Sequence, residues 1–305
     1  MAWVCDPAPH ETAPLSPVAD LYHAVMLGLR DYVGKNGFPG VVLGLSGGID
    51  SALTAVIAVD ALGADQVRAL MLPSPYTSRE SLEDAATIAT TLCIHYETVP
   101  ITPAMDAVGT MLGPLFAGTA PDVTEENIQS RLRGLVLMAV SNKFGLMVLT
   151  TGNKSEMAVG YATLYGDMCG GYNALKDLYK QDVFALSRWR NAHRPAGAHG
   201  PGGVVIPERV LVKPPSAELR PDQKDSDSLP PYGMLDAILR HLVDNGDSVR
   251  EVIAAGFPED TVRRVWKLLQ RAEYKRRQAA PGVKVSARAF GRDWRLPLTD
   301  RSDSQ

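Results

Sequence analysis

The chain has 305 residues, a net charge of −3 and a sequence pI near 6.1, with 45% hydrophobic and 21% charged residues. That balance is globular and argues against bulk nucleic-acid or membrane-surface binding. Its three cysteines, Cys5, Cys93 and Cys169, form no Cys-x-x-Cys pair and fit a reducing compartment, and its six histidines lack the spacing of zinc ligands. With no signal peptide and no apolar run of bilayer length, a cytoplasmic protein is expected.

Residues 1–16 hold three prolines and no period, and read as an irregular tail or linker remnant. Leu21, Val25, Met26, Leu29 and Val33 recur at helical spacing over residues 18–33, and Gly34 ends that helix. Residues 40–45 form a short apolar run of buried-strand type, followed by a glycine-rich turn and a helix over 52–62 that is apolar nearly all round. Strands are expected at 67–72 and 95–101, with a helix at 78–92 capped by Ser78 between them. A long helix over 124–144 opens with acids that suit its positive dipole end, and a fourth strand over 145–151 runs into the polar cluster of residues 150–156. The alternation predicts an α/β fold with a parallel sheet, and polar residues just past a parallel strand mark a ligand site.

Further on, a helix is expected over 177–190 and a flexible loop over 193–203. Residues 213–231, with five prolines and no apolar period, read as a disordered linker or a mobile functional lid. Within them, 222–228 is expected to be poorly ordered without ligands. The last third reads as helices over 234–243, 249–255 and 261–277, then a basic irregular tail from residue 281.

The chemistry centres on Gly44, Leu45, Ser46, Gly47, Gly48, Ile49, Asp50 and Ser51. A strand, a glycine-rich turn and a helix N-terminus aim backbone N–H groups at one point, the geometry of an anion site. The glycines admit phosphate oxygens close to the backbone, and Ser46 and Ser51 add hydroxyls. Asp50 is out of place beside an anion unless a cation lies between, which implies Mg²⁺. No Gly-Lys-Ser/Thr follows, so this is not a Walker loop. The string resembles the pyrophosphate-binding loop of the ATP pyrophosphatases. As a bland alternative, it is a serine-and-glycine turn with Asp50 starting a helix.

Residues 46–51, Glu126-Asn127 with Arg131 and Arg133, residues 150–156, Tyr165-Gly166-Asp167 and residues 273–277 occur in the order found in NAD synthetases, which the chain resembles over nearly its whole length. Thr-Gly-Asn-Lys-Ser-Glu at 151–156 and Ser-Leu-Pro-Pro-Tyr at 228–232 are similar to the synthetase domain of the glutamine-dependent branch. The resemblance implies a Rossmann-like, adenine-nucleotide α-hydrolase-like three-layer fold over 17–305, with a helical C-terminal part at about 232–280. It implies ATP-dependent amidation of deamido-NAD by ammonia, with AMP and pyrophosphate released and Mg²⁺ as cofactor.

By the same resemblance, residues 44–51 with Thr151, Lys180 and Ser216 would bind ATP, and Asp50, Lys180 and Thr151 would be catalytic. Asp50 and Glu156 would hold the metal. Asn127, Arg131, Glu156, Asp167 and Lys275 would bind deamido-NAD, and a homodimer would form through residues 124–144 and 261–277. Plainer readings exist for several: a first-turn acid for Glu156, a solvated lysine for Lys180, a polar helix face for Asn127 and Arg131, a turn cap for Asp167, a basic helix end for Lys275. Leu164 stands where the ammonia-only branch has a lysine. The glutaminase of the glutamine-dependent branch has no room in the first sixteen residues, and Cys5 has no placed base, so ammonia is expected free or from a separate glutaminase. Two alternatives stay open: another amidating or thiolating ATP pyrophosphatase, and a nucleotide-binding regulatory module without turnover.

Overall fold

The computed structural model describes residues 16–299. Apart from Ser16, the expected tail, Cys5 included, lies outside the described residues. Ser16 caps α1 (Pro17–Lys35), its hydroxyl accepting from the Ala19 N–H at 3.3 Å, and Pro17 sits where a helix needs no N–H. After β1 (Val41–Gly44) comes α2 (Ile49–Leu62), buried from Ile49 to Ala61 except for Asp50, which explains its apolar residues all round. Then follow β2 (Val67–Met71), α3 (Arg79–Leu92) and β3 (His95–Thr98).

The helix α4 (Thr102–Leu112) was not evident as one in the sequence; Pro103 marks its first turn, where proline is tolerated. The long α5 (Val123–Phe144) begins with an Asp122–Glu125 capping box and ends at Gly145, and β4 (Met147–Thr150) follows. Next come α6 (Lys154–Val159), the two-residue β5 (Tyr172–Asn173), α7 (Lys180–Ala192) and the short α8 (Glu208–Val212). The expected helix over 177–190 starts later, because Asp182 accepts from the Tyr179 N–H at 3.1 Å and fixes Lys180 as its first residue.

All five strands are parallel, in the order β3-β2-β1-β4-β5. Val41 faces Val67 on one side and Met147 on the other. The strand order therefore reverses between β1 and β4, and the crevice past their carboxyl ends is where such sheets bind ligands. Alternation along the strands divides two cores. Val41, Leu43, Ala69 and Leu149 pack under α1, α2 and α7, whereas Val42, Leu70 and Val148 pack against residues of α5, including Leu137 and Val140.

A third core belongs to the C-terminal helices α9 (Tyr232–Leu239), α10 (Val249–Ala254) and α11 (Glu259–Arg271), packed on α6, with the short α12 (Glu273–Arg276) following. A π-helical turn over Arg240–Asn245 continues α9. The single helix expected over 261–277 is broken at Ala272, which turns Glu273 and Arg276 inward; the Arg276 guanidinium donates to the Ala158 carbonyl at 2.6 Å. Lys154, with no solvent exposure, ties these layers together. Its ammonium reaches Asp244 at 2.9 Å, Asp177 at 3.1 Å, Ser286 at 2.6 Å and the Arg288 carbonyl at 2.8 Å. Among the described residues no helix is long and apolar enough to cross a membrane.

Candidate active site

At the reversal point the turn from β1 into α2 is braced from within. Ser51 Oγ accepts from the Ser46 N–H at 3.2 Å and donates to the Gly48 carbonyl at 3.0 Å. Ser51 thus shapes the turn more than it faces outward. Gly47 has φ +81°, and a Cβ there would lie 2.4 Å from the Ser81 carbonyl oxygen at the start of α3, so only glycine fits. The turn opens onto a cavity of about 610 Å³, a size suited to a nucleotide, and every residue from Gly44 to Ser51 lines it.

The floor carries a cation between two carboxylates. Lys180 Nζ lies 2.5 Å from Asp50 Oδ2 and 3.0 Å from Glu156 Oε1. The lysine side chain is 2% exposed, while Asp50 and Glu156 keep 18% and 16% open to the cavity. Burial alone would lower the lysine pKa, but Asp50 and Glu156 more than reverse that and keep it charged. Burial pushes Glu156 up to about 7, against the pull of Lys180 and with help from the charges of Asp50 and Asp225. Asn153 locks the arrangement. Its Nδ2 donates to Asp50 Oδ1 at 2.9 Å, and its Oδ1 accepts from the Glu156 N–H at 3.0 Å as the cap of α6. Glu156 is therefore both the first-turn acid of the plain reading and a wall of the site.

The opposite wall comes from α5 and the Tyr-Gly-Asp turn. A Cβ on Gly166 would lie 2.2 Å from Ser130 Oγ, so glycine lets the turn close on the helix. Asp167 accepts from Ser130 Oγ at 3.0 Å and from the Thr163 N–H at 2.6 Å, and burial raises its pKa. Asn127 accepts from Thr163 Oγ1 at 2.9 Å. Lys275 donates to the Gly160 carbonyl at 2.8 Å and the Ala162 carbonyl at 2.5 Å. Asn127, Thr151, Asp167, Ser216 and Lys275 all line the cavity with the floor residues. Arg131 does not. It is exposed and donates to the Leu164 carbonyl at 3.2 Å, whereas Arg133, one of the pair at that motif, lines the cavity. Burial brings Arg133 down to about 10, and its Nε donates to the Leu72 carbonyl at 2.9 Å.

Residues 213–231 pack across the cavity mouth. Glu218, at φ +48°, accepts from the Ser78 N–H at 3.2 Å and from both Ser78 Oγ and Ser81 Oγ at 2.8 Å, with Lys213 at 3.2 Å. A carboxylate on the N-terminus of α3 is favoured by the helix dipole. Ser216 donates to the Gln223 carbonyl at 2.5 Å and supports this stretch from inside. Roles for Asn153, Arg133, Glu218, Asp225 and Tyr232 were not read from the sequence. Asn153 left a local signal, the Asn-x-x-Glu spacing of a capping box, and Arg133 and Tyr232 stand within the motifs at 126–133 and 228–232.

The NAD synthase family model matches residues 21–279. The chain belongs to the NAD synthase family. It is 59% identical over 290 residues to a glutamine-dependent NAD(+) synthetase of Rhodobacter capsulatus, covering 95% of this chain and 52% of that protein. It is likewise similar to the structure of glutamine-dependent NAD+ synthetase from Acinetobacter baumannii in complex with ADP, with 46% identity, TM-score 0.64, and 94% of this chain against 51% of that one. The NH3-dependent NAD synthetase of Campylobacter jejuni shares 25% identity at TM-score 0.64, with 87% of this chain matching 98% of that one. The chain thus spans about half the length of the glutamine-dependent relatives, and its fold matches theirs over that half.

Proposed function

We propose that this chain converts deamido-NAD to NAD+ with ATP and ammonia through an adenylated intermediate. The carrying observation is the convergence of Asp50, Glu156 and Lys180 beneath the glycine-rich turn, in a cavity of nucleotide size. The nicotinate carboxylate oxygen attacks the α-phosphorus of ATP, and the bond to pyrophosphate breaks. Ammonia then forms the C–N bond and AMP departs with the acyl oxygen. The turn lets phosphate oxygens approach the backbone, and Lys180 neutralises charge as it moves onto the pyrophosphate.

Asp50 and Glu156 suit Mg²⁺: two neighbouring carboxylates with oxygens open to the cavity match an ion held by one or two carboxylates plus substrate phosphates. When bound, the ion supplies charge neutralisation on the phosphates. Thr151 and Ser216 would contact ATP, and Asn127, Asp167 and Lys275 deamido-NAD, with Arg131 able to join only by leaving the Leu164 carbonyl.

The test is NAD formation from deamido-NAD and Mg-ATP, with ammonium in one tube and glutamine in another. Product with ammonium alone is expected. Product in neither, with ATP still bound, would overturn the reading in favour of a regulatory module, and product with glutamine would show nitrogen delivery by this chain itself. A homodimer through residues 124–144 and 261–277 is part of the same proposal, supported by the exposed Leu135 and Met138 on α5.

A further inference from the structure

One face of α9 is addressed to the start of α7. Tyr232, Asp236 and Arg240 stand four residues apart, so they line up along the helix. The Tyr232 ring lies 5.0 Å from Lys180 Nζ, and Arg240 Nη2 donates to both Asp182 oxygens at 2.8 Å. Between them, Asp236 Oδ2 accepts from the Gln181 N–H at 2.8 Å and Oδ1 accepts from Ser155 Oγ at 2.5 Å. Ser155 Oγ in turn accepts from the Lys180 N–H at 2.9 Å. Tyr179 makes no side-chain cap for α7, so a carboxylate 55 residues along the chain meets the first N–H groups of that helix, one directly and one through Ser155.

Asp236 is 2% exposed, and its donors are neutral, a hydroxyl and a backbone N–H. Burial pushes its carboxyl up to about 6, while Ser155 and the Gln181 N–H pull it back. A buried carboxylate without a paired cation is costly, and an asparagine would fill the same space. The charge answers to the positive end of α7, the turn that carries Lys180. Leu235, Ile238 and Leu239, fully buried, keep α9 from shifting.

We propose that Asp236 is a positioning residue for Lys180, setting the place of its ammonium between Asp50 and Glu156; the inference rests on the role given to Lys180 above. Ser155 stands next to Glu156 on α6, so one carboxylate fixes the backbones of both residues that face Asp50. The far end of the six-residue α6 is held as well, by Arg276 on the Ala158 carbonyl and Lys275 on the Gly160 carbonyl. Asp50 itself belongs to α2, which packs on the sheet. The C-terminal helices therefore set Lys180 and Glu156 against an aspartate that the sheet holds. Charge moving onto pyrophosphate is met only by an ammonium already in place, and a misplacement of about 1 Å costs up to about 100-fold in rate.

The experiment compares wild type with Asp236→Asn, Ser155→Ala and Arg240→Gln, the last cutting a tie between α9 and α7 that leaves the Lys180 N–H alone. Deamido-NAD-dependent exchange of pyrophosphate into ATP gives kcat and KM. Acylation of Lys180 by acetic anhydride, read by peptide mass spectrometry, reports its placement without turnover. Asp236→Asn and Ser155→Ala should each lower the exchange kcat by about tenfold or more, with the KM for Mg-ATP within about threefold of wild type. Both should raise Lys180 acylation at least about threefold, because the start of α7 opens more often. Arg240→Gln should match wild type within about twofold in both readouts, as loss of an exposed ion pair does. Unchanged kcat and acylation in Asp236→Asn, or losses in all three variants that follow their Tm, would reduce Asp236 to a fold-holding residue and overturn the inference. Absence of exchange in the wild type would count against the proposed function, and the acylation ratio would then still decide on Asp236.

Discussion

Asn153 shows how much one amide can organise. Its two polar atoms join the α6 cap to Asp50, so the Asp50 carboxylate and the helix bearing Glu156 share one anchor. Asn153→Ala should lower stability by about 1 kcal/mol through the lost cap, and calorimetry with ATP titration should show weaker nucleotide binding as Asp50 swings free. Asp50→Asn keeps the shape and loses the charge. It should reduce NAD formation by at least about 100-fold, with the circular dichroism spectrum unchanged, and near-normal turnover would remove Asp50 from the metal. Lys180→Met differs in kind, since it leaves two carboxylates facing each other without their cation. Stranding a buried charge costs about 3–5 kcal/mol, so its loss of activity should come with a lower Tm.

At the scale of elements, the cover over the cavity is pinned by Glu218 on the start of α3. Although burial pushes its pKa up, donation from Ser81 and Ser78 brings Glu218 below the ordinary glutamate value of 4.5. A carboxylate depressed in the folded state stabilises fully above that value and ceases to do so as pH falls through the folded one. Hydrogen exchange over residues 213–228, corrected for its intrinsic pH dependence, should therefore quicken as pH falls below about 4.5, and Glu218→Gln should exchange fast already above that pH. This stretch, like α4 and β5, was poorly legible beforehand. Its order comes from contacts with Ser78 and Gln129 about 90 to 140 residues away, which no local pattern encodes. The strands at 41–44, 67–71 and 147–150 were legible because burial on both faces writes itself as continuous apolar runs. Of the site, the glycine-rich turn and Thr151 to Glu156 could be read as motifs, whereas the inward turn of Arg133 and the outward turn of Arg131 depend on how α5 is rolled against the sheet.

For the whole molecule, the exposed Leu135 and Met138 of α5 lead to the expectation of a dimer in solution. Leu135→Asp should halve the sedimenting mass if α5 forms the contact, and an unchanged mass would move the interface elsewhere. The Lys154 cluster bears on the same scale: Lys154→Met should lower Tm and loosen residues 281–294 together with the C-terminal helices, checked by exchange mass spectrometry. One further consequence concerns timing. The turn at Ser78 to Ser81 backs Gly47 on one side and receives Glu218 on the other. A ligand seated on the glycine-rich turn would therefore lie close to the same few atoms that fasten the cover. On the proposed function, departure of pyrophosphate and release of the cover would be coupled through the approach of Gly47 to the Ser81 carbonyl.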